Sequence, residues 1–180
     1  MQLTPEERRT RLSACAVGIF HLELRDSYAV DGERSAFTRW LAGEPETEAE
    51  IAARRDGWGA LVRSIARRGG TVRRVRVVTE PVSDYIRWER EGTALNIEAG
   101  EDVRWLPRHQ LPAGTVFPVG GNDFWLVDDD QVIVGYFDGS GRPSSRALIT
   151  APDVVADCVR VRDLLWGLGI PHADYRPPVA

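Results

Sequence analysis

Alternation between helical and strand periodicity across residues 51–107 constrains the fold of this chain more than any other feature. Apolar residues recur at spacings of three, four and seven in residues 51–65, and a second helical pattern at 85–97 follows the potential N-cap Ser83. Each pattern precedes a short strand-like segment, "TVRRVRVV" and then "EDVRWLP". Further strands are predicted at 124–127, 132–137 and 146–150, and a closing helix at 152–168. This order predicts an α/β fold with a mixed sheet flanked by helices.

The first 54 residues add a smaller set of predicted elements. A threonine cap, a proline and two acids open a short helix at 4–14, and "AVGIFHLELR" alternates as a half-buried strand does. Helical spacing returns at 31–42. The length of 180 residues fits a single domain. The expected divisions of that domain are an N-terminal helical extension at 1–54, a core at 55–168 and a tail at 169–180.

The chain contains no lysine, because all 23 of its basic residues are arginine. This composition excludes a Schiff-base lysine, a phosphate-loop lysine and a lysine that acts as a general base. The net charge of -4 argues against direct binding of nucleic acid over a broad surface. The function is therefore expected to need neither a lysine nor a broad surface for nucleic acid.

Cysteine usage and hydropathy predict a cytoplasmic protein. Cys15 and Cys158 are too few for a disulfide framework and lack the spacing of a CxxC site, so we expect buried thiols in a reducing compartment. The N-terminus has no apolar run typical of a signal peptide, and no stretch approaches the ~18 apolar residues that a membrane span needs. No contact with membranes is expected.

Three acidic residues lie between two predicted strands in "FWLVDDDQVIVGYFD". With the preceding "ARRGGTVRRVRVV" and "VRWLP" segments, this hairpin resembles one half of the phospholipase D superfamily over roughly residues 55–168. The resemblance implies the fold of a phospholipase-D-like half domain. It also implies a homodimer, because halves of that superfamily pair across a twofold axis.

The catalytic motif of that superfamily is His-x-Lys with an Asp five residues after the Lys, and its His attacks a phosphodiester. Placing Asp128 on the Asp of the motif puts Asp123 at the Lys position and Gly121 at the His position. A glycine supplies no nucleophile, and a carboxylate in place of the cation repels phosphate oxygens. The resemblance therefore implies a degenerate scaffold without the chemistry of the superfamily.

Two further blocks, at 74–89 and 96–108, resemble an uncharacterised family of small actinobacterial proteins that share "RVRVV.EP.SDYIRWE" and "N.EAGEDVRWLPR". That family has no established activity. Its members are often associated with regulatory genes, which implies a regulatory role and a regulatory protein partner. Any association with DNA is expected to go through such a partner, because the chain is acidic.

Polar and aromatic residues cluster where the strand at 71–78 leads into the next helix. Ligands of α/β sheets favour the crevice beyond the carboxyl ends of strands, where helix N-termini supply free N–H donors. The expected ligand is an anionic small molecule fixed by Arg76 or Arg87. The predicted ligand-binding residues are Arg74, Arg76, Tyr85, Arg87, Asn96 and Trp125. The alternative is an ion-pair network that only ties the strand to the helix.

Catalysis is the competing interpretation of the acidic residues and of one histidine. A pair of carboxylates near the hairpin supports proton transfer if burial raises the pKa of one of them. The candidates for this role are Asp123, Asp128, Glu89 and His109. The acids of the hairpin do not match a calcium-binding loop, and the three histidines lack metal spacing. No metal and no cofactor is therefore expected.

Two functions remain open. The first hypothesis is a non-catalytic regulatory module that binds a ligand or a protein on a degenerate phospholipase-D-like scaffold. The second is a small biosynthetic or hydrolytic enzyme that uses carboxylates or His109 as acid and base. An enclosed pocket that holds two or more of these groups favours the enzyme, and a solvated turn favours the module.

Overall fold

The structure is a computed structural model and describes residues 1–178. Six α-helices and seven strands occur within this range. The helices are α1 (Pro5–Ser13), α2 (Arg34–Leu41), α3 (Glu48–Arg54), α4 (Ala60–Arg67), α5 (Asp84–Glu98) and α6 (Pro152–Leu168). The strands are β1 (Gly18–Glu23), β2 (Thr71–Val78), β3 (Glu101–Pro107), β4 (Asp123–Val127), β5 (Gln131–Phe137), β6 (Pro143–Ile149) and β7 (Ile170–Pro171). None of these helices combines the length and the hydrophobicity that crossing a membrane requires.

The strands form one mixed sheet in the order β6-β5-β4-β1-β2-β3-β7. β1, β2 and β3 run parallel to one another, and every other pair of neighbours is antiparallel. Helix α5 makes the crossover from β2 to β3, as the alternating patterns predict. The prediction of an α/β fold with a mixed sheet flanked by helices is confirmed.

The position of β1 corrects the expected division of the chain. β1 lies between β2 and β4, so the segment 1–54 supplies a central strand and is not an extension added to a core at 55–168. All six residues of β1 are buried, as a strand covered on both faces requires, and the expectation of a half-buried strand is wrong. The segment 169–180 likewise contains β7, which pairs with β3 at the edge of the sheet.

Helix α6 covers one face of the sheet. Its Cys158 and Leu165 are fully buried against inward-facing residues of the central strands. Those residues are Phe20, Leu22, Val75, Val77, Phe124, Leu126, Val132 and Val134. Because these apolar residues are contiguous, they form the main hydrophobic core.

The opposite face carries two separate apolar clusters. In one cluster, Leu61, Val62 and Ile65 of α4 pack on the amino-terminal ends of the parallel strands. In the other, residues of α5 pack on β3 near the fully buried Trp105. The central strands also carry polar side chains on this face, and these build the site described next.

Candidate ligand-binding cavity

A strip of polar side chains crosses the centre of the sheet on the face opposite α6. Alternation along β1 directs His21 and Glu23 to this face, and alternation along β2 directs Arg74 and Arg76 there. His21 is the direct neighbour of Arg74 in the parallel pairing, and Glu23 is that of Arg76. On its other side His21 pairs with Trp125 of β4, and the two rings stack with centroids 3.5 Å apart.

A cavity of about 560 Å³ opens above this strip, a volume typical of small-molecule sites. Residues of α2, α3 and α5 form one wall, and residues of α1 and β6 form the opposite one. Gly135 of β5 contributes no side chain to the floor, although its partners in the sheet, Asp123 and Arg146, both line the cavity. The ring of Phe137 lies beside this position, 3.6 Å from where a Cβ would stand.

Three carboxylates neutralise the two arginines of the strip. Arg74 donates from Nε to Glu101 Oε1 at 2.7 Å and from Nη1 to Glu23 Oε1 at 3.0 Å. Arg76 donates from Nη2 to Glu89, and its Nε lies 2.7 Å from Glu23 Oε2. Burial alone would raise the pKa of Glu23, but the guanidiniums of Arg74 and Arg76 lower it to about 2. Charges of opposite sign therefore alternate along a nearly buried chain of side chains.

Two other carboxyl groups at the cavity have raised pKa values. Asp123 accepts a hydrogen bond from the Tyr28 hydroxyl at 2.5 Å, and burial raises its pKa to about 6. Glu33 accepts one from the Tyr85 hydroxyl at 2.7 Å, and burial together with the negative charge of Glu89 raises its pKa to about 7. Both groups therefore change protonation close to neutral pH.

His21 is an uncharged imidazole at the floor of the cavity. Burial lowers the pKa of His21 well below its usual range; the charge of Glu23 opposes this effect, and the charges of Arg74 and Arg76 add to it. Its Nδ1 is buried and has no hydrogen-bond partner within residues 1–178. The nearest carboxylate oxygen, Glu23 Oε1, lies 3.4 Å from that nitrogen. A neutral imidazole in this position has a free nitrogen to offer a ligand.

Five of the six predicted ligand-binding residues line the cavity, namely Arg74, Arg76, Tyr85, Asn96 and Trp125. Arg87 lies elsewhere, exposed on the outer side of α5, where its Nη1 is 3.0 Å from Asp84. Asn96 donates to Glu101 at 2.9 Å. Because each of Arg74 and Arg76 is paired with two carboxylates, much of this cluster is the strand-to-helix network that was the alternative interpretation.

The four candidates for acid and base catalysis do not come together. Asp123 and Glu89 line the cavity, whereas Asp128 and His109 do not. Asp128 accepts hydrogen bonds from three consecutive backbone N–H groups at residues 16–18, at 2.8, 2.8 and 2.9 Å. His109 is 63% exposed on the surface. Within residues 1–178, no group of three or more His, Cys, Asp or Glu is placed to hold a metal ion.

Several residues of the cavity are missing from the sequence-based prediction. Alternation along each strand puts His21 and Glu23 on one face of β1, and Arg74 and Arg76 on one face of β2. These two faces are the same face of the sheet, which becomes evident only when β1 is known to pair with β2. Arg8 of α1 and Arg146 of β6 also line the cavity. These two come from opposite ends of the chain, so no local pattern connects them.

The fold is similar to those of two solved phospholipase D family proteins. Nuc, a phospholipase D family member from Salmonella typhimurium, aligns with a TM-score of 0.52 and 16% sequence identity over 96% of this chain and 94% of that chain. NucT from Helicobacter pylori aligns with a TM-score of 0.51 and 11% identity over 95% of this chain and 96% of that chain. At these identities the likeness establishes the fold alone.

The sequence matches no curated protein. Residues 6–177 match a domain of unknown function, DUF6879. Because the match spans nearly the whole sequence, the chain belongs to the DUF6879 family.

Proposed function

We propose that this protein is a non-catalytic regulatory module that binds a small molecule in the cavity. The observation that carries the proposal is the cavity itself, about 560 Å³ of space over a floor of buried charged and aromatic side chains. Protein interiors are normally close-packed, and a void deprives its lining of packing contacts. Buried charges add a desolvation cost. A ligand that fills the space supplies the missing packing contacts, and polar groups on it can replace water as partners of the buried charges.

The residues at the positions of the superfamily motif support a binding role. Asp123, at the Lys position, uses both carboxylate oxygens within the protein, since Oδ2 accepts from Tyr28 and Oδ1 from the Leu24 N–H at 2.9 Å. Asp128 holds the backbone that leads into β1. Gly121, at the His position, has no side chain that could attack a substrate.

An enzyme is the second candidate, and one observation favours it. Asp123 and Glu89 both line the cavity, and the pKa of Asp123 is raised to about 6, where a carboxyl group exchanges protons readily near neutral pH. Against this, Glu89 is bonded by Arg76 and lies 3.4 Å from the Tyr85 hydroxyl. Because both acids are tied to protein donors, we place binding first.

The regulatory part of the proposal includes a protein partner and a homodimer. Both come from the resemblances of the sequence and not from the cavity. Light scattering on the full chain tests the dimer directly. A strict monomer at high concentration would remove the homodimer from the proposal and leave ligand binding untouched.

The experiment that tests the proposal is purification of the full chain from its native cell, followed by mass spectrometry of bound metabolites. The matched variant is Gly135→Leu. A Cβ at Gly135 meets the Phe137 ring at 3.6 Å and the Asp123 carbonyl at 3.8 Å, which are ordinary contacts, so a side chain can start there. Because Gly135 and Phe137 both line the cavity, the bulk of a leucine at this position should reduce the space for a ligand. We expect the natural protein to retain a metabolite that folded Gly135→Leu loses.

Incubation of the captured metabolite with fresh protein separates the two candidates. Unchanged metabolite supports the module, whereas conversion to a product supports the enzyme. Natural protein that carries no metabolite, or a Gly135→Leu variant that retains it fully, would contradict binding in this cavity.

A further inference from the structure

Two arginines at the α1 side of the cavity lack a counter-ion. Arg8 and Arg146 both line the cavity and are half-buried. Neither side chain makes an ion pair or a hydrogen bond with any residue in the described part of the chain. Arg54, which lines the same cavity, is paired with Glu46 at 2.6 Å. Fully buried arginines are almost always paired, and these two carry their charges into a partly buried cavity without a partner among the described residues.

The guanidinium of Arg8 is desolvated as well as unpaired. Its Nε is buried and has no hydrogen-bond partner within residues 1–178. Burial and the positive charge of Arg146 lower the pKa of Arg8. Two cations held near each other in a partly dry cavity repel one another, and an anion between them turns this repulsion into attraction.

A third free donor lies across the cavity. Arg76 is 5% exposed, and its Nη1 is buried without a hydrogen-bond partner in the described residues. Arg76 belongs to β2 and Arg146 to β6, and β6 is the fourth strand from β2 in the sheet. At roughly 4.8 Å per step their backbones lie about 19 Å apart. A compact inorganic ion between Arg8 and Arg146 therefore leaves Arg76 unsatisfied, whereas an extended molecule reaches toward it.

The floor between these arginines accommodates the body of such a molecule. Gly135, paired with Arg146, has the Phe137 ring beside it, which a Cβ at Gly135 would meet at 3.6 Å. Trp125 and Phe137 line the cavity beside it and offer apolar surface. The carboxylates of Glu23 and Glu89 are already bonded to arginines of the strip, so they do not serve as counter-ions for Arg8.

We propose that the cavity takes a small organic acid, whose carboxylate or phosphate group is held between Arg8 and Arg146 and whose body lies against Phe137 and Trp125. The inference rests on the proposed function, because it names the ligand class of the same cavity. Guanidinium groups bind both oxyanions through charge-assisted hydrogen bonds. The anion is bound by two unpaired arginines and not by Arg74 or Arg87, which have carboxylate partners.

The test is a titration of the full chain with two probes, benzoate and phenyl phosphate, followed by tryptophan fluorescence. Trp58 and Trp125 line the cavity and report on its occupancy. The variants are Arg8→Gln and Arg146→Gln, and the matched control is Arg9→Gln, an exposed neighbour on the same helix. We expect saturable binding by the natural protein, weakened about tenfold or more in each variant, since one charge-assisted bond is lost. The control should change binding less than twofold.

The preference between the two probes distinguishes a carboxylate ligand from a phosphate ligand. The melting temperature without probe supplies a second measurement. Because Arg8→Gln relieves a repulsion, we expect it to melt at the same temperature as the natural protein or higher. A drop of several degrees would show that Arg8 serves the structure.

Two outcomes overturn the inference: no saturable binding of either probe by the natural protein, or equal binding by Arg8→Gln and Arg9→Gln. If the natural protein captures a neutral or cationic metabolite from its cell and binds neither probe, the inference fails and the proposed function stands. If it captures no metabolite and binds neither probe, both fail.

Discussion

Glu23 of β1 bridges two arginines of β2, with Oε1 3.0 Å from Arg74 Nη1 and Oε2 2.7 Å from Arg76 Nε. Both guanidiniums are nearly buried and lie two residues apart on the same face of the strand. Glu23 is therefore the counter-ion that allows two like charges to sit side by side in the floor of the cavity.

Loss of this shared charge should destabilise the fold strongly. We expect Glu23→Gln to lower the free energy of unfolding by about 2–3 kcal/mol, because it removes the bridging charge and leaves Arg74 with Glu101 alone and Arg76 with Glu89 alone. Urea denaturation measures the change. The control is Glu98→Gln, which breaks an exposed pair with Arg55 at 3.2 Å and should cost less than about 1 kcal/mol. Similar small losses in both variants would contradict a structural role for Glu23.

The raised pKa values of Glu33 and Asp123 predict that stability falls as the pH rises. Their pKa values in the folded protein, about 7 and about 6, exceed the values near 4 of the unfolded chain. The native state therefore binds more protons than the unfolded state in this window, and the free energy of unfolding decreases with rising pH. The lowered pKa of His21 acts in the opposite direction over the same range, because the unfolded chain binds a proton there that the folded protein does not. We expect the carboxyl groups to prevail, with a net loss on the order of 1–2 kcal/mol between about pH 5 and pH 8.

Denaturation curves of Glu33→Gln over the same range test the assignment. Glutamine keeps an oxygen that accepts from Tyr85 and does not titrate, so the dependence on pH should become shallower. Glu44→Gln, at an exposed position in the α2–α3 connection, should retain the full dependence. If the free energy of unfolding of Glu33→Gln depends on pH as steeply as that of the natural protein, Glu33 does not contribute to the pH dependence.

Asp128 should matter for stability and not for binding. Asp128→Asn keeps a residue type that tolerates the left-handed backbone at φ 51. It replaces one carboxylate oxygen, which accepts from the N–H groups of residues 16–18, with an amide that cannot accept. We expect a loss of about 1–3 kcal/mol by chemical denaturation, with unchanged probe titrations. Asp130→Asn, exposed in the same turn, should stay within about 0.5 kcal/mol.

The two cysteines should be unreactive in the native protein. Cys15 and Cys158 are both buried, and burial followed by the charge of Asp157 raises the pKa of Cys158 to about 12. Since the thiolate is the reactive form, an aromatic disulfide reagent at pH 8 should modify neither thiol rapidly until denaturant is added. Rapid modification of one thiol in the folded protein would reveal an opening of the core that these contacts do not predict.

Local patterns predict β2 and β3 because their residues contact neighbours close in sequence. "TVRRVRVV" and "EDVRWLP" coincide with Thr71–Val78 and Glu101–Pro107, and the helix between them makes the crossover. The strand character of β1 is equally visible. Its central place is not, because β1 pairs with β4, about a hundred residues later in the chain, and only tertiary packing selects that neighbour.

The difference between local and long-range contacts also explains which residues of the cavity were predicted. Arg74, Tyr85 and Asn96 lie on successive elements of one strand-helix unit, so sequence proximity brings them together. Arg8 and Arg146 come together only because the segment before α1 pairs with β6, where the Leu3 N–H donates to the Arg146 carbonyl at 2.9 Å. Arg87 has the residue type and the segment that a ligand-binding residue needs. It points to the other side of α5, because it lies about half a helical turn away from the residues that face the cavity.

The late arrival of β4 beside β1 has a consequence for synthesis on the ribosome. While the nascent polypeptide is still short of residue 123, β1 has an open edge that any neighbouring copy can extend by strand addition. The guanidinium of Arg146 appears later still. The cavity is thus completed near the end of translation, and any ligand that needs Arg146 can bind only after the earlier strands have been synthesised.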